Sequence, residues 1–447
     1  MTTTQPGPVA AAPAATTTGI AALLAEALHP WLGGELPVRL LAWDGSTTGP
    51  ADGPRVEVRS PDALRRLLRH PGELGAAQAY VTGELDVVPG DCAGLRDALE
   101  TAWRVADERS LSSPRPTPGT AAALLRSARL LSGTGVLGRP PAAPRTQARL
   151  GGRLHSLGRD REAIAHHYDL SNEFYALLLD DSMAYSCGYW TGDGPSYTLA
   201  DAQRDKLDLV CRKLGLEPGM RMLDVGCGWG SLSLFAAAEY GVRVTGVTIA
   251  AEQKRFIDRR VAERGLADLV EIRLQDYRAV PERDHYDAVA SIEMGEHVGE
   301  GNYPTYARSL RDAVRPGGRV LVQQMSRPGR RGGRHPGGGP FIESFIAPDM
   351  HMRPVGETAA HLEDGGLEVR DVHALREHYV RTVDAWIERF EANLDALRAL
   401  VGEEMVRVWR LYLVGGRMTF ADGRMGVDQL LCVRPGAAHS LLAERGW

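Results

Sequence analysis

The chain has 447 residues, enough for two or three domains at roughly 150 residues each; its 43% hydrophobic content supports a sizeable core, and its net charge of −5 gives no overall basic character. Five cysteines, odd in number and without metal-ligand spacing, argue against a disulfide framework or a metal site and for a reduced, cytoplasmic setting. No apolar run approaches the ~20 residues that span a bilayer, and the first residues lack the basic and apolar regions of a signal peptide, so any membrane contact is expected from the surface.

Residues 1–18, rich in Ala, Thr and Pro, read as a disordered tail. A small α+β domain is expected over 19–105. It begins with a helix over 19–31, then a strand over 37–43 that turns at Asp44-Gly45 and pairs with a second strand over 55–59. Ser60-Pro61-Asp62 starts the next helix, with serine as cap and proline at the first position. The stretch 106–150 holds two Pro-rich runs and reads as a linker around a short amphipathic helix at 121–131. Between positions 104 and 161 stand eleven arginines, no lysine and three acids, a local balance of +8. An anionic membrane surface and nucleic acid are both open as partners for that segment, and a solvated linker is the plain alternative.

From 151 to 435 the pattern becomes alternating helix and strand. Strands are expected at Arg221–Val225, Arg243–Thr248, Val270–Leu274, Tyr286–Ile292 and 319–325, which makes a mainly parallel α/β sheet with crossover helices. A Gly/Arg-rich loop covers 327–340, a helical insertion runs over about 340–418 with 383–414 its strongest part, and 436–447 form a tail. Leu223-Asp224-Val225-Gly226-Cys227-Gly228-Trp229-Gly230 ends the first of these strands, and Ser231–Tyr240 follows as a helix. Glycines there let a ligand approach the backbone at the carboxyl edge of a doubly wound sheet. Asp224 before the first glycine, and Gly-x-Gly-x-Gly spacing, suit a cofactor with a cationic amino-acid end better than a dinucleotide. The turn resembles motif I of S-adenosylmethionine-dependent methyltransferases, and so implies a Rossmann-like class I methyltransferase domain.

Further segments narrow the resemblance: His166-His167-Tyr168-Asp169-Leu170-Ser171-Asn172, Tyr185-Ser186-Cys187, and Ser291-Ile292-Glu293-Met294-Gly295-Glu296-His297-Val298-Gly299. With the glycine turn, in this order, they resemble the cyclopropane-fatty-acyl-phospholipid synthase family, which includes actinobacterial fatty-acid C-methyltransferases. The resemblance implies methyl transfer from S-adenosylmethionine to a cis double bond of an unsaturated phospholipid at an anionic membrane surface, on the inner face of the cell membrane. That favours membrane over nucleic acid as partner. An alkene is a weak nucleophile, so such a site must align it, exclude water and stabilise a carbocation; Tyr189, Trp190, Tyr303 and Tyr306 are the aromatic faces on offer. The family implies a bound bicarbonate that removes the proton, held here by Cys187, Glu296 and Tyr379. The family's histidine is replaced by Gln323, which can donate to an anion but cannot change protonation. This departure leads us to expect a methylene branch after a hydride shift ahead of a cyclopropane ring, with a separate reductase needed for a methyl branch. For the cofactor, Tyr185 and Ser186 are expected at the methionine end, Asp224, Gly226, Gly228 and Gly230 along the floor, Thr248 and Gln253 at the ribose, and Asp276 and Tyr277 at the adenine. His166 and His167 read as structural, His297 as structural or supporting. A homodimer is a further expectation. A soluble small-molecule methyltransferase and a non-catalytic lipid-binding relative stand as alternatives.

Overall fold

The computed structural model describes residues 19–109, 126–148, 171–329 and 337–447. The chain divides into two compact units, residues 1–144 and 145–447. In the first, helix α1 (Ile20–Leu32) precedes a four-stranded sheet in the order β2 (Thr47–Thr48), β1 (Arg39–Ala42), β3 (Arg55–Val58), β4 (Leu85–Val88). The expected turn at Asp44-Gly45 is present, but it returns the chain into the two-residue β2, antiparallel to β1. β3 then lies parallel on the other edge of β1 instead of closing a hairpin with it. Helix α2 (Pro61–Arg69) starts as expected, with the Ser60 hydroxyl accepting from the Asp62 N–H. Helices α3 (Glu73–Val81) and α4 (Cys92–Glu108) complete the ordered run, α4 extending past the position where the linker was expected to begin.

The described part of that expected linker, 126–144, packs within this unit. Leu131 and Val136 are buried with Leu24, Leu40 and Leu64. Ser127 Oγ donates to the Ala27 carbonyl at 2.8 Å, Arg65 Nε to that of Gly135 at 3.0 Å and Arg66 Nη1 to that of Ala142 at 2.8 Å. Residues 126–130 are helical with Arg126 and Arg129 exposed, and Leu131 begins a turn; 121–125 of the expected helix lie outside the described residues.

The second unit holds a seven-stranded sheet in the order β10-β11-β9-β8-β5-β6-β7. β5 (Arg221–Val225), β6 (Arg243–Thr248), β7 (Val270–Leu274), β8 (Tyr286–Ile292) and β9 (Val314–Ser326) are parallel, and β11 (Gly426–Val433) runs antiparallel between β9 and β10 (Glu368–Ala374). This is the Rossmann-like α/β architecture expected. Helices cover both faces, so the central strands are mostly apolar; one core layer gathers Leu207, Met222, Val244 and Ile257, the other Leu223, Val289, Tyr306 and Leu430. The covering helices are α5 (Asn172–Leu178), α6 (Leu199–Leu214), α7 (Ser231–Tyr240), α8 (Ala251–Glu263), α9 (Tyr303–Ala313), α10 (Pro340–Phe345), α11 (Val355–Asp364), α12 (Arg376–Ala392) and α13 (Leu394–Ala421). Strands β4, β10 and β11 were not expected, and β10 interrupts what was read as a helical insertion. The helix expected over 383–414 is two, broken at Asn393, the second kinked where Gly402 takes φ 78°. No helix among the described residues is long and apolar enough to cross a membrane.

Candidate active site

The carboxyl edges of β5, β6 and β8 open onto one cavity. At the end of β5 the glycine turn takes left-handed backbone, with φ 79° at Gly226, 54° at Gly228 and 80° at Gly230. Their surroundings differ. A Cβ on Gly228 would meet nothing within 4 Å, whereas one on Gly226 would come 2.7 Å from Met294 Cγ and one on Gly230 2.9 Å from Ile257 Cγ2. Gly226 and Gly228 line the cavity; Gly230 is not among the lining residues and serves instead to pack the start of α7 against α8.

Tyr185, Ser186, Asp224, Thr248, Gln253, Asp276 and Tyr277 also line this cavity, with His297. Asp224 is buried and accepts a hydrogen bond from Ser233 Oγ at 2.7 Å; burial pushes its carboxyl up to about 6. Thr248 Oγ1 donates to Gln253 Oε1 at 2.9 Å, tying the end of β6 to α8. The Asp276 carboxylate accepts from Arg278 Nε at 2.8 Å and Nη2 at 2.7 Å. Lys206 was missed; it is 1% exposed, and its Nζ donates to Ser186 Oγ at 2.8 Å. Burial pulls this ammonium down, opposed by Glu293, Cys187, Asp180 and Asp224. Its signal was legible, since position 206 falls in the buried stripe of Leu199, Ala202, Val210 and Leu214 along α6.

The expected catalytic set assembles around a different glutamate. Glu293, immediately after β8, lines the cavity. Its Oε1 accepts from the Cys187 backbone N–H at 2.8 Å and from Gln323 Nε2 at 2.8 Å, and its Oε2 from the Tyr379 hydroxyl at 2.7 Å. Gln429 on β11 donates to Gln323 Oε1 at 2.9 Å and so aims the other end of that amide at Glu293. Burial raises the Glu293 carboxyl, against those three donors and Lys206. Glu296 does not join the set. The 3₁₀ turn Gly295–His297 carries it away from the lining, and its carboxylate is fully buried. Burial, and then the charge of Glu293, push it up to about 8. The Cys187 thiol faces the Gly188 carbonyl at 3.2 Å and burial raises it well above its ordinary value, while the residue's backbone N–H is the group that donates to Glu293.

The aromatic expectation also changes. Arg381 stacks 4.5 Å over Trp190 and Arg353 4.0 Å over Tyr303, Tyr189 faces His378 at 4.7 Å, and Tyr306 packs between Tyr303 and Tyr277. The rings at the cavity are Tyr185, Trp229 and Tyr277, backed by Tyr379 and Trp386 6.0 Å apart and by Tyr379 stacked on Phe420 at 4.3 Å. Among the described residues no three His, Cys, Asp or Glu side chains are grouped to hold a metal ion. His166 and His167 lie outside the described residues. Bicarbonate does not fit the residues present, because the donors expected to grip it already hold Glu293.

Residues 155–430 match the family model described as mycolic acid cyclopropane synthetase. The chain is 38% identical over 405 residues to a "probable fatty acid methyltransferase" of Pseudomonas putida, covering 90% of this chain and 92% of that one. It is 35% identical over 447 residues to the tuberculostearic acid methyltransferase of Mycobacterium tuberculosis, covering 96% and 93%. A solved mycolic acid cyclopropane synthase complexed with SAH and CTAB is similar at 30% identity and TM-score 0.57, over 61% of this chain and 98% of that one. With the glycine turn, the sheet order and these matches together, the chain belongs to the mycolic acid cyclopropane synthetase family of S-adenosylmethionine-dependent methyltransferases.

Proposed function

We propose that this enzyme transfers a methyl group to a cis double bond of an unsaturated phospholipid acyl chain and leaves a methylene branch. The observation that carries the reading is Glu293, a half-buried carboxylate held by three donors at the wall of the cavity that the glycine turn also lines. Methylation of an alkene leaves a carbocation that becomes product by losing a proton from carbon, and in a cavity that keeps water from the cation a positioned acceptor must take it. Similarity to two relatives named as fatty acid and tuberculostearic acid methyltransferases, each matched along nine-tenths or more of this chain, supports an acyl substrate and a branched product. S-adenosylmethionine, when bound, supplies an electrophilic methyl group. Gly226, Gly228 and Asp224 would hold its amino-acid end with Tyr185 and Ser186, while Thr248, Gln253, Asp276 and Tyr277 take the nucleoside. The arginine-rich stretch between 104 and 161 would dock on anionic lipid at the inner face of the membrane.

The test uses vesicles of unsaturated phosphatidylglycerol and methyl-labelled S-adenosylmethionine, with mass spectrometry of the released acyl chains. The label should enter the chain as one added CH₂, and mild catalytic hydrogenation should convert the product to a methyl branch. A labelled chain that resists hydrogenation identifies a ring and sinks the branching reading; label absent from every lipid favours a soluble small-molecule substrate. Higher ionic strength should slow the reaction on these vesicles, because screening weakens surface attraction.

Asp224 sets a pH dependence for cofactor binding. Its carboxyl titrates at about 6. Above that pH it is ionised and attracts the cationic end of the cofactor; below it the charge is lost. Affinity by calorimetry should hold down to about pH 7 and then fall by about tenfold per unit below about pH 6. A flat affinity from about pH 7 to about pH 5 removes Asp224 from the cofactor site.

A further inference from the structure

We propose that Glu293 is the resident base of this reaction and replaces the free bicarbonate that the family resemblance implies, so that turnover needs no added anion. This rests on the lipid C-methyltransferase reading above.

The hydrogen bonds are the first ground. Every group that touches the Glu293 carboxylate is a donor: a backbone N–H, an amide NH₂ and a phenol. The N–H and the NH₂ can only donate, so these bonds favour the ionised, proton-accepting form, against the burial that raises the carboxyl. Cys187, Gln323 and Tyr379 stand at three of the four positions where the resemblance places the groups around bicarbonate, Glu296 being the fourth. They cannot hold a second anion while Glu293 is there.

Gln323 is the second ground. A histidine at that position could carry a proton to or from a mobile anion; a glutamine cannot. What a glutamine does well is fix a carboxylate, and this one is oriented by Gln429 so that its NH₂ must face Glu293. The backbone supplies a third ground. Glu293 takes φ 50°, a left-handed conformation that favours glycine, while its N–H donates to the Gln323 carbonyl at 2.6 Å. A glutamate in that conformation costs on the order of 1 kcal/mol or more. The strain places the side chain at the cavity, where neighbouring Glu296, in a 3₁₀ turn, does not reach.

The chemistry balances without an oxidant or reductant. The alkene's π pair forms the new bond to the methyl carbon, the C–S pair stays with sulfur, and the acyl chain is left as a carbocation. Hydride migrates from the methylated carbon to its cationic neighbour. Glu293 then takes a proton from the new methyl group, and the C–H pair becomes the π bond of the methylene branch. The carboxyl returns its proton to water after product leaves. Burial, which raises the Glu293 carboxyl, strengthens it for this task.

The test assays the full chain with unsaturated phosphatidylglycerol vesicles and methyl-labelled S-adenosylmethionine, in buffer stripped of carbon dioxide and in the same buffer with bicarbonate added. The wild type should label lipid at rates equal within about twofold in both, while Glu293→Gly should lose roughly 10²–10⁴-fold in stripped buffer. Glycine suits the backbone there and vacates the anion site, so bicarbonate should restore part of its activity. Glu293→Gln fills the site with a neutral amide and should lose as much, without rescue. Calorimetry showing unchanged S-adenosylmethionine binding verifies that both variants are folded. A wild type that loses tenfold or more on stripping, or a Glu293→Gly variant as fast as wild type in stripped buffer, overturns the assignment of the base. A wild type that labels no lipid in either buffer overturns the reading beneath it.

Discussion

Gly228→Val should leave a folded protein that no longer binds S-adenosylmethionine, with affinity down by roughly a hundredfold or more, about 3 kcal/mol. At φ 54° a β-branched residue is strained, which costs about 1–2 kcal/mol of stability. The larger effect is spatial. A Cβ at this position meets no protein atom within 4 Å, so nothing in the fold resists the new side chain and its methyl groups extend into the cavity. Gly230→Ala is the contrast, since its methyl group would press on Ile257 and should lower the unfolding midpoint more than it lowers binding. Calorimetry and urea unfolding on the two variants separate these outcomes. Wild-type affinity in Gly228→Val would mean the cofactor lies elsewhere.

Lys206→Met should destabilise the protein by about 3–5 kcal/mol, read from urea unfolding. Lys206 is 1% exposed, and burial alone disfavours its charge. The charges of Glu293, Asp180 and Asp224 oppose that effect, and methionine would leave those carboxylates without this cation. The pH sign follows from the same argument. As pH falls through about 6 Asp224 takes up a proton and no longer needs a compensating charge, so the gap between variant and wild type should narrow in acid. A loss below about 1 kcal/mol at neutral pH would show that the ammonium is not what balances these groups.

The fold was legible where the chain follows strong local rules. Parallel strands buried on both faces read as apolar runs, and β5 to β8 stand where those runs predicted them. β10 escaped because Glu-Val-Arg-Asp-Val-His-Ala lies at the sheet edge with partly exposed residues on both faces, so it shows neither an apolar run nor a clear alternation. β11 is central and buried, but an aspartate and a glutamine interrupt its apolar character, and those are the residues that bond Ser326 and Gln323. The site was legible to within one turn. Two glutamates stand three positions apart after β8, and residue type alone cannot say which faces the cavity. The answer lies in a backbone angle at Glu293 and in the 3₁₀ turn after it, neither of which has a composition signature.

The left-handed backbone at Glu293 also has a meaning in the genetic code. Every glutamate codon becomes a glycine codon by a single base change at its second position, and every glutamine codon becomes a histidine codon by one at its third. The conformation at position 293 already suits glycine, so the first step asks nothing new of the main chain. Two point mutations, at 293 and 323, therefore separate a site with a tethered carboxylate from one with an opening for a diffusible anion and an imidazole beside it. Each intermediate can be encoded without any insertion, deletion or shift of the sheet, which puts the two kinds of proton acceptor within short evolutionary reach of one another.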